Sequence, residues 1–128
     1  MKIAIVEQDE LLSDLVSFRL ELLGHEVLVW NTAQNMLAKL GEANLDVLVV
    51  DTHQADMQGW EAIQKVRHTY SGEQLPILAV SIDTDLGLVE QAYKAGANDY
   101  LIIPFDPTVL QSKIETLLML RHRLAVTK

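Results

Sequence analysis

Cysteine is absent from this chain, which removes disulfides, thiolate nucleophiles and Cys-ligated zinc or iron–sulfur centres from consideration. Positive charge is scarce: ten Lys and Arg stand against eighteen Asp and Glu, a formal net charge of −8. A nucleic-acid surface needs clustered cations to displace counterions from phosphate, so no nucleic-acid partner is expected. No apolar run approaches the ~20 residues that cross a bilayer. The opening stretch reaches Glu7 after a short apolar run, too soon for a signal peptide. The expectation is a cytoplasmic protein with no membrane partner. Prolines number three and glycines six, and they form no Pro/Gly-rich linker. Residues 1–128 therefore read as one domain. The basic stretch 121–128 reads as a solvated helix end, or else as the start of a linker to an output domain.

What is present is enough to build a core: 49% of residues are apolar and 22% charged. Short β-forming runs alternate with longer stretches of helical period. Lys2–Val6 reads as a strand covered on both faces. Leu11, Leu15, Phe18 and Leu22 then recur at helical spacing, with Gly24 placed as a C-cap. Val27–Trp30 is the second strand, and Thr32 caps a short helix that Gly41 is expected to end. Val47–Val50 runs into Asp51 and a polar loop to Gly59, followed by a helix marked by Trp60, Ile63 and Val66. Ile77–Val80 leads to Ser81, then to a helix closed by Gly96. Tyr100–Ile103 is the fifth strand, and Asp106-Pro107 opens the last helix.

Five βα units imply a doubly wound parallel sheet with helices on both faces. Ligands of such sheets bind beyond the carboxyl ends of the strands. The residues there are Glu7, Gln8 and Asp9, then Asp51, Ser81 and Ile103-Pro104. Two carboxylates and a hydroxyl should converge, and converging carboxylates call for a proton or a cation. Hard oxygen donors suit Mg²⁺, and an Asp beside it is placed to take a phosphoryl group. The plainer reading is that loops after strands are polar anyway. There is no P-loop, no dinucleotide glycine motif and no nucleophile elbow. His25, His53, His68 and His122 lack metal-ligand spacing.

In this order and spacing the segments Ile5-Val6-Glu7-Gln8-Asp9, Leu48-Val49-Val50-Asp51, Met57-Gln58-Gly59, Pro76–Ser81 and Gly96–Pro107 carry a resemblance. The whole chain resembles the receiver domain of two-component response regulators. That resemblance implies a flavodoxin-like (βα)5 fold with strand order 2-1-3-4-5 and a signalling module rather than an enzyme. It implies a histidine kinase or phosphotransfer protein as partner and Mg²⁺ as cofactor. Asp51 matches the phosphoacceptor. Glu7 matches the first of the acidic pair that holds Mg²⁺, with Asp51 and the His53 backbone carbonyl as further ligands. Ser81 matches the hydroxyl that contacts the phosphoryl group, and Tyr100 the switch aromatic. A half-buried strand aromatic is the plainer account of Tyr100.

Two departures stand out. Gln8 occupies the position of the second acidic residue, the most direct Mg²⁺ ligand, and Ile103 that of a lysine that contacts the phosphoryl group. Asp9 belongs to the next position and is expected to point elsewhere. Ala55 and Gln58 also depart from the pattern, while Pro104 is kept and its peptide bond is expected to be cis as in the family. Losing one negative and one positive group leaves the local charge sum unchanged but weakens stabilisation of the transition state. The expectation is an atypical receiver, weakly phosphorylated or not at all, with Ile103 partly filling the vacated space. The competing readings are an ordinary regulator with a variant site, since Gln8 still offers an amide oxygen, and a Mg²⁺-dependent phosphatase using Asp51. A flavodoxin-like electron carrier fits less well, because Glu7 and Asp9 would repel a flavin phosphate. Homodimerisation through the fourth helix, fifth strand and last helix has only Val109 and Lys113 to support it.

Overall fold

Each short apolar run forms a strand and each helical period a helix. The computed structural model describes residues 1–127 apart from 55, 83 and 85, with side chains through 122. Its elements are β1 (Lys2–Val6), α1 (Glu10–Leu22), β2 (Glu26–Trp30), α2 (Ala33–Ala43), β3 (Val47–Asp51), α3 (Gly59–Arg67), β4 (Ile77–Ser81), α4 (Leu86–Ala95), β5 (Asp99–Ile102) and α5 (Pro107–Thr127). The strands make one parallel sheet in the order β2-β1-β3-β4-β5. No helix among the described residues is long and apolar enough to cross a membrane.

Strand side chains alternate between faces, and here both faces are covered. Ile3, Ile5, Val47, Val49, Leu78 and Val80 pack with Val16 and Leu20 of α1 and with Leu110 and Ile114 of α5. Ala4, Val6, Leu48, Val50, Ile77 and Ala79 pack on the other side beneath α2, α3 and α4. That is why β3 and β4 are apolar at consecutive positions until Asp51 and Ser81 end them. The chain order reverses at β1, which lies between β2 and β3. The crevice at the carboxyl ends of β1 and β3 is therefore the natural site.

Local chemistry sets the helix ends. The Asp9 carboxylate accepts from the amides of Leu11 at 2.9 Å and Leu12 at 3.3 Å, capping α1. At its other end Gly24 takes φ +90°, letting His25 N donate to Leu20 O and Gly24 N to Glu21 O, a Schellman closure. The Asp106 carboxylate accepts from Thr108 N at 2.8 Å, with Pro107 in the first turn of α5.

Three expectations need correction. Gly41 does not end α2; the helix runs on to Ala43 and Asn44 takes the left-handed turn at φ 51°. An isolated glycine costs a helix only ~1 kcal/mol, and buried Leu40 and Ala43 on either side hold this one in place. Strand β5 spans Asp99–Ile102, so Ile103 lies just past it. In α1 the period-carrying residues Leu11, Leu15, Phe18 and Leu22 face solvent, and Ser13, Val16 and Leu20 are buried instead. Ala55 lies outside the described residues.

Candidate functional site

Glu7 and Asp51 meet at the ends of β1 and β3, as their positions after paired strands require. Glu7 is 3% exposed and Asp51 8% exposed. Burial raises the Glu7 carboxyl to about 8, helped by a hydrogen bond to Asp51 and by that residue's charge. Burial, together with the neighbouring Asp51, therefore favours the protonated form of Glu7. The amide of Asp9 gives Glu7 Oε2 only a long hydrogen bond, 3.4 Å. Among the described residues neither carboxylate has an ion-pair partner.

The loop after β3 is anchored on several sides. His53 N donates to Asp51 Oδ1 at 2.8 Å, orienting that carboxylate. Gly59 N donates to Thr52 O, and a Cβ at Gly59 would meet the Cα of Thr52 at 2.5 Å, so only glycine permits this approach. Asp56 accepts from the amides of Ala33 and Gln34 at the start of α2. Gln54, which the sequence reading passed over, bridges both strand ends. Its amide nitrogen donates to Val6 O at 3.1 Å and to Asp51 O at 2.8 Å, while its Oε1 is buried with no hydrogen-bond partner. Nothing in a polar loop residue's spacing marks such a bridge, since both partners are backbone carbonyls.

Ser81 is 1% exposed at the end of β4, and its carbonyl accepts from Ile103 N at 2.8 Å. Gln8 is exposed past the end of β1. The Asp9 carboxylate serves the α1 cap, as its offset position predicts. Tyr100 is 8% exposed in the core beneath α2, α3 and α4, and its hydroxyl is buried without a hydrogen-bond partner. Ile103 packs with Phe105 against the layer formed by α1 and α5. The peptide bond between Ile103 and Pro104 is cis, as expected. Lys113 bonds Asp99 at 2.8 Å within its own chain.

The donor set is oxygen-only and suits a hard cation. Mg²⁺ is commonly held by one or two carboxylates with water and phosphate completing its shell, and here it would favour the ionised form of Glu7. Among the described residues no third acidic, His or Cys side chain joins these two. Carbonyl, amide, water or phosphate oxygens must therefore supply the remainder.

Comparison with known proteins agrees with this geometry. Residues 3–115 match the family model described as the response regulator receiver domain. A chemotaxis protein CheY homolog of Campylobacter jejuni is 31% identical over 122 residues, covering 92% of each chain. A CheY-like response regulator receiver domain protein from Methanospirillum hungatei superposes with a TM-score of 0.88 at 27% identity, over 95% of this chain and 96% of that one. The fold is shared, at TM-score 0.83 and 24% identity, with the receiver domain of the sensor histidine kinase PA1611 from Pseudomonas aeruginosa. That structure has magnesium coordinated in its active-site cleft and is covered over 91% of this chain and 96% of its own. The chain belongs to the response regulator receiver domain family and is a receiver of two-component signalling.

Proposed function

We propose that residues 1–128 form one atypical receiver unit, in which Asp51 accepts a phosphoryl group weakly or not at all and signalling runs through protein contacts. The observation that carries this is the buried pair of Glu7 and Asp51 standing beside an exposed, uncharged Gln8. Gln8 brings no second charge, and Ile103 presents an apolar side chain to the α1/α5 layer where the family has an ammonium.

In the phosphorylation step an Asp51 oxygen attacks the phosphorus of a phosphohistidine, the P–N bond breaks, and an acyl phosphate forms. The attacking group is the Asp51 carboxylate, and the Glu7 carboxyl beside it favours its protonated form. The His53 amide holds the carboxylate in place, and the Ser81 hydroxyl would contact the phosphoryl group. Bound Mg²⁺ would neutralise phosphoryl charge, with Glu7, Asp51 and the His53 carbonyl as ligands and Gln8 offering at most a neutral oxygen. Its affinity is expected to be low because one carboxylate is missing. Tyr100, with its hydroxyl unpaired in the core, is the residue to carry a change toward α4, β5 and α5.

The partners of this reading are a histidine kinase or phosphotransfer protein and, where one is attached, an output domain. Incubation with Mg²⁺ and acetyl phosphate, read by intact mass, tests it. No adduct, or one only at high Mg²⁺, is the expected result. A full adduct at ordinary Mg²⁺, lost in Asp51→Asn and accompanied by amide NMR shifts reaching Tyr100, would make this an ordinary phosphorylated switch.

A further inference from the structure

Helix α1 carries apolar side chains on two opposite faces. At about 100° per residue, buried Ser13, Val16 and Leu20 point to the sheet, while Leu11, Leu15, Phe18 and Leu22 fall within roughly 60° of arc on the far side. These four are 69%, 52%, 61% and 62% exposed. A surface helix normally carries polar residues there. Their spacing of four, three and four residues is the alternating seam of a two-stranded coiled coil.

The seam has one acidic and one basic flank. Asp14 and Glu21 line one side, and Arg19 lies on the other beside Leu12. Among the described residues none of these three charges makes an ion pair within its own chain. On the Arg19 side the apolar surface widens into a hollow of about 190 Å³ to which Ile103 and Phe105 contribute.

We propose that α1 pairs with α1 of a second copy of this chain, side by side and parallel about a two-fold axis. The charges select the parallel arrangement. A two-fold along the helices sets the basic flank of each copy against the acidic flank of the other, bringing Arg19 to the second copy's Asp14, the register that coiled coils use. An antiparallel pair would set acidic flank against acidic flank. The stripe and its margins offer on the order of 500 Å² of apolar surface per copy, the upper range of what a monomer leaves bare. Two copies then bury about 1,000 Å², the lower bound for a specific association. A reversible dimer in the micromolar-to-millimolar range follows, with Phe18 as its central anchor.

Sedimentation equilibrium between about 10 µM and 1 mM tests this with no phosphorylation involved, so its outcome is independent of the Asp51 reading. The expected result is a monomer–dimer equilibrium that Phe18→Glu weakens at least tenfold and Lys113→Glu leaves unchanged. Phe18 is exposed, so an unchanged urea midpoint will show that the variant still folds. Arg19→Glu should weaken the dimer, and adding Asp14→Arg should restore it. Because the chain has no cysteine, Leu22→Cys gives a clean cross-link. A parallel pair places the two substituted positions together and oxidises to a disulfide dimer. An antiparallel pair separates them by about 16 Å. A monomer up to 1 mM, a dimer indifferent to Phe18→Glu, or no cross-link would each overturn the proposal and assign the stripe to another protein's helix or another geometry.

Discussion

Replacing Glu7 with Gln should make the protein more stable, by an amount that depends on pH. In the folded chain the Glu7 carboxyl sits near 8 against an ordinary 4.5, chiefly through burial and then through Asp51. Between those values the folded state keeps a proton that the unfolded chain has released. Stability contributed by this group therefore falls as pH rises through the window, and levels off above 8. At 1.36 kcal/mol per unit, the penalty grows from almost nothing at pH 4 to about 3 kcal/mol at pH 7. That is a large share of the 5–15 kcal/mol that holds a domain of this size together. Glu7→Gln keeps the volume and the hydrogen-bonding capacity but has no proton to lose.

Urea unfolding in EDTA, followed by circular dichroism at intervals from pH 4 to 8, measures this directly. The stability difference between variant and wild type should widen by about 3 kcal/mol from pH 4 to pH 7, with an unchanged denaturant slope. Titrating groups remote from Glu7 cancel in the difference. Adding Mg²⁺ at pH 7 should raise the wild type's stability more than the variant's, because the ion binds the ionised pair and stabilises by mass action. A difference flat across the pH range would refute the raised pKa of Glu7 and the burial argument behind it.

Two further substitutions separate structural from functional charge. Asp9→Ala should cost about 1 kcal/mol in urea unfolding through loss of the α1 cap while leaving Mg²⁺ affinity unchanged in a metal titration; weakened binding would place Asp9 in the site after all. Arg67→Ala should cost about 2–4 kcal/mol. Its guanidinium joins Gly96 O and Leu75 O, each at 2.8 Å, and Asn98 Oδ1 at 2.8 Å, tying the end of α3 to the turn before β5. Burial lowers its pKa only to about 10, so it is charged at neutral pH. A loss under 1 kcal/mol would mean that water satisfies those carbonyls.

Periodicity and capping are local, and what depends on them was legible from the residues. The five strand–helix alternations, the caps at Thr32 and Asp106, and the placement of Glu7 just past β1 and of Asp51 and Ser81 at the ends of β3 and β4 all follow from short-range spacing. Tertiary packing decided the rest. Helix α1 has apolar residues on two faces, and periodicity marks a stripe without saying whether it meets the sheet or the solvent. The sheet buried Val16 and Leu20 and left Leu11, Leu15, Phe18 and Leu22 outside. Gly41 could not be told from a helix end until its neighbours Leu40 and Ala43 were seen buried. Gln54 joined the site because backbone carbonyls at the ends of β1 and β3, far apart in sequence, came within reach of one amide. The raised pKa of Glu7 likewise needs two strands in register and exclusion of water around them. Neither condition exists along the chain, because burial and proximity are properties of the folded ensemble of contacts and not of any one segment.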